Sequence, residues 1–268
     1  MLSNRFKVLI STSLRGLKKK RKREETMFTG IVEETGKINS ISKKGNSLVL
    51  GISCSFAGEL SLGESVAVNG TCLTVTSRTG ESFSADVTPE SFRRTSLGSL
   101  HAESPVNLER AMKADGRFGG HIVSGHIDGT GTFVCADHEE NAVNIKISVL
   151  PEIGRFIIEK GSVCVDGISL TVSGVEYGGS ETVFCAAVIP HTWKNTNLSA
   201  LKTGAKVNIE CDMVGKYVSH FLSGLTGAGG SSVGNSAGSA FDGDGSAPDS
   251  ELDSQALESF MTGFTSFH

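Results

Sequence analysis

Prolines are scarce in this chain, five in 268 residues, and aromatic side chains make up only 6%. Neither a collagen-like nor a proline-rich linker protein fits that composition. No apolar run reaches the length of a membrane span. No C-x-x-C pair occurs among the six cysteines (Cys54, Cys72, Cys135, Cys164, Cys185 and Cys211), so a structural zinc site of thiolates is not expected. No secretory leader precedes them, and free intracellular thiols are the expectation. There is no Rossmann G-x-G-x-x-G and no P-loop G-x-x-x-x-G-K-[ST]. The net charge of -4 is not that of a nucleic-acid-binding chain. What is abundant is glycine, 33 residues, together with Val, Ile, Thr and Ser. That bias favours short strands joined by tight turns.

The two ends differ from the middle. Residues 1–26 have no acidic residue before Glu24 and end in Lys18-Lys-Lys-Arg-Lys-Arg23. A basic, hydroxylated, acid-poor leader has the character of an organelle transit segment. A solvated tail and a nuclear signal are the other readings. The compartment expected is therefore the cytoplasm or a plastid, not the exterior. From about residue 226 onwards the chain is rich in Gly, Ser and Asp. Such a composition buries too little apolar surface to fold alone.

Between these ends the sequence is written twice. Phe28-Thr-Gly-Ile-Val-Glu-Glu-Thr-Gly36 returns as Val123-Ser-Gly-His-Ile-Asp-Gly-Thr-Gly131. Val68-Asn-Gly-Thr-Cys-Leu-Thr-Val75 returns as Val165-Asp-Gly-Ile-Ser-Leu-Thr-Val172, and Val106-Asn-Leu-Glu109 as Val207-Asn-Ile-Glu210. The blocks keep their order at separations of 95, 97 and 101 residues. Solenoid repeats recur every 20–50 residues or so, whereas this period is the size of a small domain. A duplicated domain is expected, 27–121 and 122–211. In each half, β-rich segments flank a turn signal: Ser65–Val68 and Leu73–Thr76 around Asn69-Gly70, Val163–Val165 and Leu170–Val172 around Asp166-Gly167. Many short strands with glycine breaks favour a small closed barrel, which removes sheet edges. One clear helix is expected over 212–225, with Asp212 as N-cap and Val214, Val218, Phe221, Leu222 and Leu225 on one face. That apolar stripe reads either as an oligomer contact or as packing on its own barrel.

The block Met27-Phe-Thr-Gly-Ile-Val-Glu-Glu-Thr-Gly36 resembles the start of the riboflavin synthase family. Asn69-Gly-Thr-Cys-Leu-Thr-Val75, Gly119-Gly-His-Ile-Val-Ser-Gly-His-Ile-Asp-Gly129 and Asp166-Gly-Ile-Ser-Leu-Thr-Val172 carry the same resemblance. It spans about residues 27–225, and four blocks in order on a duplicated frame make it specific. The resemblance implies an all-β fold of two six-stranded Greek-key barrels with a C-terminal helix, assembled as a homotrimer through that helix. It implies one lumazine per barrel, and an active site formed between the first barrel of one chain and the second barrel of a neighbour. The implied reaction is the dismutation of two 6,7-dimethyl-8-ribityllumazine molecules into riboflavin and 5-amino-6-(D-ribitylamino)uracil. No cofactor, no metal, no nucleic acid and no membrane partner is implied.

Block by block, the resemblance assigns the first pocket to Gly30, Ile31, Val32, Cys72, Leu73, Thr74 and the run Asp86, Val87, Thr88, Pro89, Glu90 and Ser91. It assigns the second to Gly125, His126, Ile127, Lys160, Ser169, Leu170, Thr171 and the run Ile189, Pro190, His191, Thr192, Trp193 and Lys194. Two identical molecules must become donor and acceptor, so the catalytic groups are expected where the repeats diverge. His126 stands opposite Ile31, Ser169 opposite Cys72, and Lys160 opposite Leu62. Histidine is the natural base near neutrality for the acidic methyl at C7 of one lumazine. The nucleophile for the other is water, Ser169, Thr171 or Cys72. Each has a plainer reading: His126 as a turn histidine, Cys72 as an apolar filler, Lys160 as a solvated loop residue, Ser169 and Thr171 as ordinary strand residues. His121 reads as orienting its loop. His191 and Trp193 depart from Glu90 and Phe92 of the first half. Two other functions compete with catalysis: a lumazine- or flavin-binding antenna or carrier of the same fold, and a nucleic-acid-binding barrel. The core lacks the clustered aromatic and basic residues that the second would need.

Overall fold

The computed structural model describes residues 27–44 and 47–226, with the side chains of 44 and 224–226 left out. The basic leader 1–26 and the tail from 227 lie outside the described residues.

The first half contains β1 (Glu34–Lys44), β2 (Ser47–Ser53), β3 (Ser65–Val68), β4 (Thr71–Arg78), β5 (Ser82–Val87) and β6 (Pro105–Arg110). They close in the order β1-β2-β5-β4-β3-β6, every pair antiparallel. The second half contains β7 (Gly129–Glu139), β8 (Ala142–Val149), β9 (Ser162–Val165), β10 (Ile168–Gly178), β11 (Glu181–Val188) and β12 (Lys206–Cys211). Its closed order, β10-β11-β8-β7-β12-β9, is the same circuit six strands on. Because β2 pairs with β5 rather than β3, each barrel is a Greek key. Closure leaves no unpaired edge, as the composition suggested.

Alternation builds the interiors. Along β5, Phe83, Ala85 and Val87 are buried while Asp86 is exposed, and β11 repeats this with Phe184, Ala186 and Val188 against exposed Ala187. Each barrel thus fills with its own apolar cluster, Phe83 in one and Phe184 in the other. The two predicted turns have the backbone that hairpins demand. Asn69 and Gly70 sit at φ of 44° and 76°, Asp166 and Gly167 at 45° and 81°.

These two turns also meet. A Cβ on Gly70 would lie 2.7 Å from the backbone nitrogen of Gly167, and one on Gly167 2.8 Å from that of Gly70. Around them runs a buried polar seam between the barrels. Asn107 Nδ2 donates to the Asp166 carbonyl (2.9 Å) and Asn208 Nδ2 to the Asn69 carbonyl (2.8 Å). Asp166 accepts from the Asn208 backbone N–H and from Asn197 Nδ2. Burial lifts the Asp166 carboxyl from 3.8 to about 6, opposed by those two hydrogen bonds.

Three short helices join strands, α1 (Pro89–Arg94), α2 (Pro151–Gly154) and α3 (Pro190–Asn195), and a longer one, α4 (Met213–Thr226), follows β12. The first three were not expected from the sequence. Each begins with a proline near its first position, where the missing N–H costs nothing. The last starts at Met213, directly after its expected cap Asp212, which accepts from the Val214 N–H at 2.9 Å. Lys216 bonds Asp128 at 2.7 and 2.8 Å, tying α4 to the second barrel. The apolar stripe is nonetheless open: Val214, Val218, Phe221 and Leu222 are each more than half exposed, so it is not spent on the helix's own barrel. Leu225 has no described side chain. Among the described residues no helix is long and apolar enough to cross a membrane.

Candidate functional site

The segment before each barrel's first strand does not stay with its own half. Phe28 and Val123 pair as an isolated antiparallel bridge (N···O 2.8 and 3.2 Å), both fully buried. Beyond the bridge the two segments part to opposite barrels. The Ser169 N–H donates to the Gly30 carbonyl at 2.7 Å, and the Cys72 N–H to the Gly125 carbonyl at 2.9 Å. Val32 packs against the core cluster of the second barrel. Thr35 Oγ1 reaches the Asn195 carbonyl at the end of α3. The grouping by sequence half is therefore corrected. Gly30 lies against Ser169 and Val32 against the second barrel's core, while Gly125 lies against Cys72.

Two buried glutamates hold the crossed segments. Glu109 accepts from Thr29 N (2.7 Å), Thr29 Oγ1 (2.9 Å) and Gly30 N (3.0 Å). Glu210 does the same for Ser124 N (2.7 Å), Ser124 Oγ (2.7 Å) and Gly125 N (2.9 Å). Burial pushes both carboxyls up, while these donors pull them back. Gly30 and Gly125 take φ of 74° and 78°, and a Cβ on either would collide with Ser169 or Cys72 at 2.7 or 2.5 Å. Glycine is required at both places by conformation and by contact. The repeat had placed both glutamates in matching blocks. That they are buried anchors was not read, because strand sequence does not say which outward residue meets another element.

The candidate pockets lie on the outer faces of β4–β5 and β10–β11, bordered by the crossed segments. On the first, Cys72 is half-buried and Thr74 and Asp86 are exposed. Thr88 caps α1 by accepting from Ser91 N at 3.2 Å, Pro89 opens the helix, and Glu90 pairs with Arg93 and Arg94. On the second, Ser169 is half-buried and Thr171 exposed. Ile189, His191 and Lys194 are exposed on and before α3, with Pro190 at its start and Thr192 and Trp193 half-buried. Trp193 meets His138 edge-on at 5.8 Å. Leu73, Val87 and Leu170 point into the barrel cores, so they face a pocket only through their backbones. His126 and Ile31 are exposed, and Ile127 is half-buried. Lys160 is exposed at φ 63°, its N–H bonded to the Val172 carbonyl one residue from Thr171.

The imidazole that meets Ser169 is His121, not His126. His121 Nδ1 lies 2.7 Å from Ser169 Oγ. Burial also pushes the Cys72 thiol up, so it stays protonated and is a poor nucleophile. All six cysteines are free.

Comparison with known proteins agrees with this geometry. A lumazine binding domain model matches twice, over residues 29–111 and 124–212. A riboflavin synthase from Actinobacillus pleuropneumoniae is 52% identical over 197 residues, covering 73% of this chain and 90% of the relative. One from Bacillus subtilis (strain 168) is 49% identical over the same spans. Among solved structures, LumP complexed with riboflavin superposes with a TM-score of 0.62 at 25% identity, covering 69% of this chain and 99% of LumP. With two lumazine binding domains on crossed barrels and relatives of this identity over almost their whole length, the chain belongs to the riboflavin synthase family of transferases.

Proposed function

We propose that the chain converts two molecules of 6,7-dimethyl-8-ribityllumazine into riboflavin and 5-amino-6-(D-ribitylamino)uracil, each barrel binding one lumazine. The observation that carries this is the pair of related but unequal outer faces. The reaction moves a four-carbon unit between identical molecules, so it needs two similar sites that assign different roles. Binding then supplies mainly proximity and orientation. One substrate is oxidised as the other is reduced, so the electrons balance between them.

On this reading the first site uses Thr74, Asp86 and the α1 turn, backed by Cys72 and the Gly125–His126 segment. The second uses Ser169, Thr171, Lys160 and the α3 turn, backed by Gly30–Val32. His126, exposed at the lip beside Cys72, is the candidate base for the C7 methyl. Water activated between the two faces is the candidate nucleophile, since Cys72 stays a thiol. Three chains assemble through the exposed stripe of α4, which brings the first barrel of one against the second barrel of the next. The compartment is intracellular, the leader directing it to a plastid or leaving it in the cytoplasm.

The test is turnover of purified 6,7-dimethyl-8-ribityllumazine by the full chain, with riboflavin and the pyrimidine measured in equal amounts. Tight binding with no riboflavin formed would make this a carrier instead. Sedimentation of wild type against Phe221→Glu checks the assembly, and an unchanged mass would remove α4 from it.

A further inference from the structure

The segment entering the second barrel holds a histidine that the first half does not repeat. His121 is buried, only 8% exposed, and stands between the crossed segment and β10. Its own N–H donates to the Thr29 carbonyl at 3.2 Å, and its Nδ1 is 2.7 Å from Ser169 Oγ. Its Nε2 is buried with no hydrogen-bond partner among the described residues. Counting back 95 residues along the repeat gives Thr26, outside the described chain.

We infer that His121 positions Ser169 as a hydrogen-bond donor toward the ligand, by holding its own proton on Nδ1 and pointing it at the serine oxygen. Burial pushes the imidazole pKa down, so the ring is neutral near pH 7 and carries one proton. If that proton were on Nε2, a buried N–H would have no acceptor, the costlier kind of orphan. With the proton on Nδ1, Ser169 Oγ accepts it, and only a lone pair is left unpartnered at Nε2. The charge of Asp212 opposes burial at this ring, but burial outweighs it, and Asp212 is bound to the Val214 N–H. Once Ser169 accepts from His121, its own O–H is free to turn outward, where the residue is half-exposed.

Two consequences distinguish this from a serine activated by a base. Ser169 meets an acceptor of the lumazine, a carbonyl oxygen or ring nitrogen, and does not attack carbon. His121 touches no substrate; it acts through Ser169 alone. The inference rests on the second outer face being a lumazine site, but its main observable does not.

That observable is the tautomer. In ligand-free full-length protein with ¹⁵N-labelled histidine, long-range ¹H–¹⁵N correlation should show one neutral ring protonated at Nδ1. The His121→Asn spectrum identifies which signal is lost. A ring protonated at Nε2, or a charged ring at pH 7, overturns the inference whatever the protein catalyses. The second measurement is the dissociation constant of 6,7-dimethyl-8-ribityllumazine. His121→Leu and Ser169→Ala should each weaken binding about five- to tenfold, the worth of one hydrogen bond. His121→Leu should have no further effect in the Ser169→Ala background. His121→Asn, whose amide nitrogen sits near the place of Nδ1, should restore most of the loss. Additive losses, or no rescue by asparagine in a folded variant, would make His121 merely structural and overturn the inference. Failure of wild type to bind lumazine would instead sink the proposed function and leave the tautomer result standing.

Discussion

The outer face of the first barrel carries a carboxylate, Asp86, where the second carries the methyl group of Ala187; the registers Val49↔Asp86 and Asn144↔Ala187 put them at the same place. Beside them stand Cys72 in one half and Ser169, held by His121, in the other. Thr88 caps its helix, while Ile189 has no side chain that can. At the seam, Asn69 in the first half faces Asp166 in the second. The barrel circuits, the glycine turns and the glutamate anchors are kept in both halves; the polar differences named here lie on the outer faces and the seam, while the cores exchange one apolar residue for another, as at Leu50 and Ile145. Both halves keep the circuit of a barrel and its crossed lip, and they differ in polarity at several positions of the outer faces.

The largest expected effect breaks the comparison between chains. Thr74→Phe should block the first outer face and Thr171→Phe the second, both positions being exposed enough to fold with the bulk. Each variant alone should be nearly inactive. Refolded together from a 1:1 mixture, an interchain site joins two open faces about one time in four. Recovered turnover on the order of a quarter of wild type is expected, scaled by how many sites of an assembly work at once. No recovery in proven mixed oligomers would place the reaction within one chain.

Next comes the crossing. Glu109→Ala and Glu210→Ala each strand three donors and should cost about 2–4 kcal/mol in denaturant unfolding. Their binding effects should cross over. Glu109→Ala loosens Gly30 and so should weaken the second face more, while Glu210→Ala should weaken the first. Titration of single-face blocked variants measures this, and a loss confined to the barrel that owns the glutamate would contradict the crossing.

Asp166 gives a smaller, pH-dependent difference. Its folded pKa of about 6 exceeds the ordinary 3.8, so the folded chain holds this proton more tightly than the unfolded one. The stability it contributes is full below 3.8 and is lost as pH rises through about 6. Asp166→Asn, which copies Asn69, should remove that slope from the unfolding free energy against pH. A slope unchanged by the substitution would assign it to other groups. The smallest effect concerns the caps. Ile189→Thr, copying Thr88, should raise stability by about 0.5–1 kcal/mol in thermal or denaturant unfolding, and Thr88→Ala should lower it by about as much.

The barrels were legible because a doubled sequence displays its own alternation. Asn69-Gly70 and Asp166-Gly167 fixed two hairpins, and the strands around them followed. The crossing was not legible. Nothing in Gly30 or Gly125 says which barrel each glycine lies against, since contacts as distant in sequence as Gly30 with Ser169 and Gly125 with Cys72 leave no local pattern. His121 was read only as orienting its loop, because the matching blocks begin at Phe28 and Val123 and leave it just outside them. Short α1, α2 and α3 escaped because a helix of four to six residues shows no period, though the proline at each start was available as a sign.

The contact of Gly70 with Gly167 has a consequence for inheritance. After the two halves arose, positions out of contact with their twin could change separately. These two could not. Each excludes a side chain from its twin, at 2.7 and 2.8 Å, and each already has a backbone that other residues rarely adopt. A substitution at either glycine is felt at once by both halves, and no compensating change at the other relieves it, since there is no atom there to remove. The pair is a place where two copies of one ancestral segment remain a single heritable unit, however far the rest diverges.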